Sequence, residues 1–189
     1  MMKRNLEDYA IKFENFLDEQ TCKDAIEQQK NAKFRQHTFY NSKSNTANTR
    51  SGDRELDVSF DNLPATKIIM KKLWQAIKDY QVKLGFEWFE RWDGYTQIRY
   101  NKYKENRQMA LHCDHIKSMF QGERKGIPTL SLLGTLNDDY EGGEFIMWDS
   151  KEVPMKTGDL LIFPSNFLYP HKVEPVTKGT RYSYISWVW

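Results

Sequence analysis

Cysteine is scarce in this chain of 189 residues, which contains only Cys22 and Cys113. Two cysteines are too few for a fold held together by several disulfides. Long apolar runs are also missing, since no stretch approaches the roughly 18 residues of a transmembrane helix. The first thirteen residues lack the apolar segment of a signal peptide. We therefore expect a soluble, cytoplasmic protein without membrane contacts.

An excess of charge of one sign is missing as well. The chain has 28 Lys and Arg against 26 Asp and Glu, a net charge of +2. Nucleic-acid-binding proteins more often concentrate basic residues in one stripe, so we expect no nucleic-acid partner. There is no internal repeat or low-complexity linker, and aromatic residues make up 14% of the chain. This length and composition predict a single folded domain, 1–189.

The first 85 residues have the pattern of a mainly helical segment. A short strand is predicted over 10–13 and a helix over 18–30, where Asp18 or Thr21 can cap the first turn. Residues 41–53 are polar and predict a loop. Apolar residues spaced three and four apart predict a second helix over 64–84, which Gly85 ends.

After residue 85 the segments become short, aromatic or β-branched, and separated by turns. Strands are predicted near 86–91, 95–100, 109–115, 129–136, 144–148, 159–163, 170–174 and 181–188. Helices followed by about eight short strands indicate an α+β fold. We predict a double-stranded β-helix (jelly-roll) core over 86–189, supported by the helices and the loop of 1–85.

The segment Leu111–His115 contains the most informative pattern. Side chains alternate between the two faces of a strand, so His112 and Asp114 point the same way. One imidazole and one carboxylate form two thirds of a facial triad, which leaves metal positions open for non-heme iron chemistry. Of the four histidines, His171 lies in a later strand-like segment and can supply the third ligand. A zinc site remains the chemical alternative, although neither cysteine supports a structural zinc site.

Arg181 follows His171 by ten residues and begins the last predicted strand. An arginine facing inward on a core strand needs a buried anion, and its planar fork binds a carboxylate at two points. Arg181 shares one strand face with Ser183, Ile185 and Trp187, as a pocket requires. We expect His115 to make an ordinary hydrogen bond and His37 to lie on the surface.

Residues 95–189 resemble the catalytic core of the prolyl 4-hydroxylases in the 2-oxoglutarate/iron(II) dioxygenase superfamily. The motifs that carry the resemblance occur in the family's order. They are Tyr100, His112-x-Asp114, Thr135-Leu136-Asn137, Gly142-Gly143-Glu144-Phe145, Lys156-Thr157-Gly158-Asp159 with the apolar strand to Pro164, His171–Val176, Gly179-x-Arg181 and Trp187. The resemblance covers about half of the chain strongly and the N-terminal half more loosely.

The resemblance implies that His112, Asp114 and His171 bind iron(II) and that Arg181 binds the distal carboxylate of 2-oxoglutarate. Oxygen-sensing members of the family use arginine at this last position, whereas collagen-type members use lysine. O₂ is the other co-substrate, and ascorbate is the expected reductant.

The resemblance also assigns the other residues of the pocket. Tyr100 is expected to line the 2-oxoglutarate pocket, and Trp187 to pack near the iron. Thr135 occupies the position of a tyrosine that contacts the same carboxylate as Arg181. Met109 replaces a tyrosine that is common three residues before the first histidine, so this chain lacks that contact.

The polar loop corresponds in position to the mobile family loop that closes over the peptide substrate. Within it, Arg50 to Asp53 resembles an Arg-Gly-Asp turn that stiffens the loop, so Arg50 and Asp53 are the expected substrate-side residues. An ordinary surface loop is the alternative.

The function that the resemblance implies is hydroxylation of peptidyl-proline at C4, with succinate and CO₂ as co-products. The expected partner is a proline-containing peptide or protein, and the expected assembly is a monomer or a weak dimer. Two alternatives remain open. The same chemistry can act on lysyl or other protein residues, on a free amino acid or on a nucleic acid, or the fold can be a catalytically silent binding module.

Overall fold

The structure is a computed structural model, and it describes residues 4–41, 46–50, 52–114, 128–148 and 150–189. The described helices are α1 (Glu19–Gln28) and α2 (Pro64–Leu84), with short 3₁₀ turns at Leu6–Tyr9, Gln29–Asn31 and Gly52–Arg54. Neither α-helix combines the length and apolar character that crossing a lipid bilayer requires.

Local signals fix the ends of both helices. The Asp18 side chain caps α1 by accepting a hydrogen bond from the backbone N–H of Thr21 at 2.8 Å. Helix α2 starts at Pro64, whose missing N–H costs nothing in the first turn. It ends at Gly85, which adopts the left-handed conformation at φ +62°. The predicted α2 is confirmed, while the last residues of the predicted first helix lie in a 3₁₀ turn.

Two larger antiparallel sheets and two separate strand pairs form the described β structure. The strands are β1 (Ile11–Phe13), β2 (Arg35–Gln36), β3 (Phe39–Asn41), β4 (Thr46–Asn48), β5 (Asp57–Ser59), β6 (Arg99–Tyr103), β7 (Met109–His112), β8 (Leu130–Thr135), β9 (Glu141–Gly142), β10 (Phe145–Met147), β11 (Lys151–Glu152), β12 (Leu160–Pro164), β13 (His171–Val173), β14 (Val176–Lys178) and β15 (Arg181–Val188). The major sheet has the order β1-β12-β8-β15-β6-β5-β2, and the minor sheet has the order β11-β10-β13-β7. Strands β3 and β4 form a separate hairpin, and β9 pairs with β14, which is distant in sequence, as a further two-stranded sheet.

The major sheet is covered on both faces, so nearly every residue of its central strands β8, β15 and β6 is buried. The outer face packs against α1 and α2 through a cluster that includes Ile69, Leu73, Tyr100, Leu132 and Tyr184. The inner face packs against the minor sheet through a second cluster that includes Leu133, Phe145, Phe163, Ile185 and Trp187. This is the predicted jelly-roll core, with its supporting helices on one side.

The predicted division at residue 85 does not follow the layers of the fold. Strands β1, β2 and β5 come from the N-terminal part, yet all three join the major sheet. Strand β1 pairs with β12, and β5 pairs with β6. The N-terminal part therefore completes both edges of the catalytic sheet as well as supplying its helical cover.

The strand predicted over 86–91 is wrong. The side-chain amide of Gln81 donates to the carbonyls of Phe89 and Glu90, at 2.7 and 2.8 Å, which are groups that a strand would offer to a neighbour. The rings of Phe86 and Trp88 stack on each other instead, with centroids 5.0 Å apart. Aromatic composition here reflects a packed turn region, and not a sheet.

Two further predictions near the site shift at their ends. The strand expected over 95–100 begins later, as β6 over Arg99–Tyr103. The strand expected over 109–115 ends at His112, so Asp114 follows it instead of lying within it. The predicted loop 41–53 contains strand β4, paired in register with β3. Residues 42–45 and 51 of that loop lie outside the described residues.

The substitution Gly134→Ala tests how tightly the Tyr184 ring of β15 packs on β8. A Cβ at this position would lie 2.0 Å from the Cζ of Tyr184, whose ring is fully buried. We expect Gly134→Ala to lower the free energy of unfolding by about 3 kcal/mol, because the ring has no space into which it can move. Gly85→Ala is the control, since its methyl would meet no atom within 4 Å and only its φ is strained, a cost of about 1 kcal/mol. Equal losses for the two variants in urea unfolding would contradict this packing.

Candidate metal centre

Three potential metal ligands from different segments meet between the two sheets. His112 ends β7 and His171 begins β13, and the two residues are direct partners in the minor sheet. Asp114 lies two residues beyond β7. One ligand atom from each of His112, Asp114 and His171 lies within 4.8 Å of the others. The described chain thus brings together the three residues that the sequence selected.

The distances suit one octahedral metal ion. The Nε2 atoms of His112 and His171 lie 3.3 and 3.7 Å from Oδ1 of Asp114. Ligand atoms bound at about 2.1 Å and at right angles to each other lie roughly 3 Å apart. The three atoms therefore need only small movements to occupy one face of a metal's coordination sphere.

Backbone carbonyls orient both imidazoles. Nδ1 of His112 lies 2.8 Å from the carbonyl oxygen of Ala110, and Nδ1 of His171 lies 3.0 Å from that of Tyr169. A carbonyl can only accept, so each Nδ1 carries the proton and donates it. Each Nε2 then presents its lone pair toward Asp114, as a metal ligand must.

The Asp114 carboxylate is held by a pair of serine hydroxyls. Ser131 on β8 donates to its Oδ2 at 2.6 Å, and the hydroxyl of Ser165 lies 2.7 Å from that of Ser131. Burial raises the pKa of Asp114, but the electrostatic influence of the neighbouring His171 and His112 and the hydrogen bond from Ser131 outweigh it, so the pKa lies well below its usual range. Asp114 is therefore an anion at neutral pH, although no regular strand holds it.

The protonation states suit a divalent cation. Burial, followed by the proximity of His112, lowers the pKa of His171 to about 4, so this imidazole is neutral at pH 7. Two imidazoles and one carboxylate form the donor set of non-heme iron(II) sites with open positions. The thiol of Cys113 instead contacts the carbonyl of Phe167 at 3.7 Å and does not belong to the cluster.

Arg181 lies on the inner face of β15 and is only 1% exposed. Its Nη1 donates to the hydroxyl of Ser183 at 3.0 Å, and its guanidinium carbon lies 5.0 Å from the centre of the Tyr103 ring. Its Nε is buried without a hydrogen-bond partner, and the guanidinium forms no ion pair with any carboxylate that the structure describes. A buried cation in this state needs an anionic ligand.

Two more unsatisfied polar atoms lie on the same face. Thr135 is the partner of Ser183 across β8 and β15, and its buried hydroxyl oxygen has no hydrogen-bond partner among the described residues. The same is true of the indole Nε1 of Trp187. Buried polar groups are normally satisfied. An anion between Arg181 and Thr135 would satisfy both, as the distal carboxylate of 2-oxoglutarate is expected to do.

Tyr100 does not line this pocket, contrary to the sequence-based expectation. It points to the outer face, where its hydroxyl lies 2.9 Å from that of Thr66 on α2. Because strand faces alternate, Arg99, Asn101 and Tyr103 of β6 point inward instead. The ring of Tyr103 packs against the Arg181 guanidinium. The sequence alone does not distinguish Tyr103 from Tyr100, because either tyrosine is compatible with a buried strand.

The hairpin residues lie beside the metal ligands. The Phe39 ring lies 5.4 Å from the His112 ring, and the Arg50 guanidinium stacks on Phe39 at 4.2 Å. Arg50 also donates to the carbonyl of Leu111 at 2.8 Å. The structure therefore brings Arg50 to the rim of the site. Asp53 is exposed and accepts a hydrogen bond from Arg107 through its backbone carbonyl.

The other two histidines have different outcomes. His37 was expected on the surface, but its Nδ1 is buried and has no hydrogen-bond partner among the described residues. Its ring packs edge-on against Phe39, at 4.7 Å between centroids. His115 lies outside the described residues, so its expected hydrogen bond remains a prediction.

Sequence comparison identifies relatives of the second half of the chain. The family model described as the 2OG-Fe(II) oxygenase superfamily matches residues 98–189. A PKHD-type hydroxylase from Aliarcobacter butzleri is 37% identical over 95 residues, which cover 47% of this chain and 41% of that protein. A PKHD-type hydroxylase from Idiomarina loihiensis is 35% identical over 96 residues, 49% of this chain and 42% of the relative. The match thus spans about two fifths of the length of these relatives.

Structure comparison extends over nearly the whole chain. The viral collagen prolyl hydroxylase of Paramecium bursaria Chlorella virus-1 superposes with a TM-score of 0.66 at 14% identity, covering 95% of this chain and 94% of the viral one. The Trichoplax adhaerens prolyl hydroxylase, solved with a hypoxia inducible factor peptide, gives 0.67 at 17% identity and covers 96% and 84%. At these identities the likeness establishes the fold. Residues 98–189 match the 2OG-Fe(II) oxygenase superfamily, and the fold of the chain is similar to that of the prolyl hydroxylases.

Proposed function

We propose that this chain is an iron(II)- and 2-oxoglutarate-dependent dioxygenase that hydroxylates peptidyl-proline at C4 and releases succinate and CO₂. One observation carries the oxygenase part of the proposal. A His-Asp-His cluster lies beside the space between the two sheets, and Arg181 of the major sheet, a buried arginine without a carboxylate partner in the described chain, points into the same space. The proline part is supported by similarity to prolyl hydroxylases, among them that of Pseudomonas putida, with a TM-score of 0.63.

The metal would be held by Nε2 of His112, Nε2 of His171 and one oxygen of Asp114. Iron and 2-oxoglutarate, when bound, supply the oxidising chemistry, which couples decarboxylation to the insertion of one oxygen atom of O₂ into a C–H bond. The protein's part is to fix the ligand geometry, and Ser131 does so by fixing the carboxylate that no strand holds. Ascorbate would keep the iron reduced between turnovers.

Arg181, Ser183 and Thr135 would bind the distal carboxylate of 2-oxoglutarate. Arg181 offers its fork, while the hydroxyls of Ser183 and Thr135 flank it across the β15–β8 pair. Tyr103 contributes its ring face to the guanidinium. This end of the pocket sets the position of the co-substrate relative to the metal, and it discriminates a dicarboxylate from a monocarboxylate.

Apolar side chains enclose the space between these two ends. Leu133, Phe163 and Ile185 are each at most 5% exposed and form the inner surface of the major sheet. They exclude water from the reacting centre, which protects a reactive oxidant and strengthens the electrostatic interactions in the site. The substrate would enter beside the β3–β4 hairpin, next to Phe39 and Arg50, since these residues lie at the His112 side.

The deciding experiment measures succinate formed from 2-oxoglutarate by the full chain with iron(II) and ascorbate, with and without proline-containing peptides. We expect succinate in both cases, more of it with peptide, together with a gain of one oxygen atom on proline at C4. Succinate without any change in the peptide would keep the oxygenase and exclude these peptides as substrates. No succinate from protein of measured iron content would contradict the proposed chemistry and favour a silent binding module.

Ser131 generates a prediction about metal affinity. Ser131→Ala removes the hydroxyl that donates to Oδ2 of Asp114, so we expect iron(II) and manganese(II) to bind about 10- to 100-fold more weakly. Asp114→Ala should abolish turnover. Both affinities are measurable by calorimetry on the full chain.

Ser186→Ala is the matched control for Ser131→Ala. Ser186 is a fully buried serine of β15 that faces the other way and donates to the carbonyl of Thr96 at 2.6 Å. Its removal should leave metal affinity unchanged while it lowers stability. Equal metal affinities for the Ser131 and Ser186 variants would show that Ser131 does not support the metal ligand.

Arg181 generates a prediction about 2-oxoglutarate. Arg181→Met should weaken 2-oxoglutarate binding well beyond tenfold, because a charged hydrogen bond in a buried site contributes about 1.5–3 kcal/mol. Thr135→Val, which removes only a hydroxyl, should weaken it by a few-fold. Binding to manganese-loaded protein measures both effects without turnover. Arg91→Met, at an exposed arginine, is the control. An unchanged affinity in the Arg181 variant would remove Arg181 from the co-substrate site.

A further inference from the structure

A second buried arginine faces the inner side of the major sheet, and the proposed chemistry leaves it unused. Arg99 of β6 is 8% exposed. Its Nε donates to Oδ1 of Asn101 at 3.0 Å, and its guanidinium carbon lies 5.2 Å from the centre of the Trp187 ring. Asn101 and Trp187 therefore fix the stem and one edge of the Arg99 side chain, so its guanidinium is preorganised.

The other edge of this guanidinium has no partner in the described chain. Neither Nη atom makes a hydrogen bond there, and no carboxylate is close enough for an ion pair. Burial lowers the pKa of Arg99, and the nearby metal ligand Asp114 partly offsets this effect. The two carboxylate oxygens of Asp114, however, already contact His112 and Ser131. A cation that is 8% exposed and has one N–H edge without a protein acceptor is stabilised when an anion completes it.

The co-substrate does not supply this anion. In the β15–β6 register Arg181 is opposite Tyr103 and Ile185 is opposite Arg99. Four residues therefore separate the two arginines along the sheet, which is about 13 Å. The distal carboxylate of 2-oxoglutarate is assigned to Arg181, and its other carboxylate is needed at the metal. Since no carboxylate of the described residues is close enough either, we expect a carboxylate at Arg99 to come from another molecule.

The position of Arg99 points to the substrate side of the metal. Its strand, β6, pairs with β5, and β5 pairs with the edge strand β2, from which the chain continues through His37 to the β3–β4 hairpin. Burial, and next the charge of Arg99, lowers the pKa of His37 to about 3. His37 is therefore neutral, and its buried Nδ1 has no partner in the described residues. Two unsatisfied polar groups, one of them cationic, thus lie between the metal ligands and the hairpin.

We propose that Arg99, positioned by Asn101, binds a carboxylate of the substrate close to the carbon that is hydroxylated. This inference rests on the proposed oxygenase function and specifies its substrate as a proline with a carboxylate next to the ring, in a peptide or in the free amino acid that the sequence analysis kept as an alternative. Either the α-carboxylate of the free amino acid or an acidic residue beside proline in a peptide provides this chemistry. The planar fork of Arg99 would bind the carboxylate at two points, so lysine cannot fully replace it.

The test measures binding, so it does not depend on turnover. Full-length protein is loaded with manganese(II) and 2-oxoglutarate, and two matched pairs of probes are titrated by calorimetry. The first pair is L-proline and L-prolinamide. The second pair is a blocked peptide with the sequence Ala-Asp-Pro-Ala and its Ala-Asn-Pro-Ala counterpart. Each pair differs in one carboxylate, and the two pairs distinguish the free amino acid from the peptide.

We expect the acidic member of one pair to bind at least about tenfold more tightly than its neutral partner. Arg99→Met, which keeps the packing on Trp187, should remove that preference. Arg99→Lys should keep part of it, while Arg91→Met should keep all of it. The affinity for 2-oxoglutarate should stay the same in all variants, which separates this role from that of Arg181.

Three results would overturn the proposal. They are equal binding within both pairs, a preference that survives in Arg99→Met, and no binding of any probe by protein that binds 2-oxoglutarate normally. A loss of 2-oxoglutarate affinity in Arg99→Met would assign Arg99 to the co-substrate and overturn it as well. A charge preference that depends on Arg99, in protein that forms no succinate, would contradict the proposed oxygenase function and leave the carboxylate site standing.

Discussion

The register of β15 between β8 and β6 is the constraint on which the whole site depends. Arg181, Ser183, Ile185 and Trp187 all face the minor sheet because they share one parity along this strand. A slip by one residue would turn all four toward the helices and present Tyr184 to the pocket. Tyr184 prevents such a slip, since its ring fills the space above Gly134 on the outer face, where any side chain at that position would overlap it. A packing contact on the outer, helix-covered face of β15 therefore fixes the orientation of the functional side chains on its inner face.

Charge is distributed along this inner face in an order that fits the proposed reaction. One anion, Asp114, lies at the Ser131 end of β8, and the cation Arg181 lies at the opposite end of β15. They are too distant to neutralise each other, and the apolar side chains of Leu133 and Ile185 lie between them. A ligand that is anionic at one end and chelates a metal at the other completes both ends at once. The separation of these two charges, more than either residue alone, selects a dicarboxylate such as 2-oxoglutarate.

The sequence predicts best those features that local chemistry determines. Pro64 and Gly85 set the ends of α2 through properties of their own backbones, so that no tertiary information is needed. The spacing of His112 and Asp114 is equally local, and the structure brings both together with His171. The strand alternation behind that expectation is nevertheless incomplete, because β7 ends at His112 and a hydrogen bond from Ser131 orients Asp114. Ser131 is remote in sequence, and a serine carries no signal that distinguishes it from its neighbours.

Tyr100 and Tyr103 illustrate what period-two reasoning cannot decide. Both residues are buried, because β6 packs between two layers, so hydrophobicity does not identify the inward parity. The strand was predicted over 95–100, whereas β6 begins at Arg99. The pocket tyrosine was therefore assigned from the resemblance to the family, which indicated Tyr100. The decisive facts are the Thr66 hydroxyl on one side and the Arg181 guanidinium on the other. Both contacts are tertiary. The burial of His37 was missed for the same reason.

Arg99 follows the same parity as Tyr103, which is why the sequence reading passed over it. An arginine next to Tyr100 appears to be an outward, solvated residue if Tyr100 is taken as the inward one. With the parity corrected, β6 presents Arg99, Asn101 and Tyr103 to the site, and β15 presents Arg181 beside them. Two buried guanidinium groups on adjacent strands lower the stability of the free protein, because each loses its hydration without gaining a carboxylate. In the proposed function, 2-oxoglutarate provides the carboxylate for Arg181 only. Arg99 therefore requires a second anionic ligand.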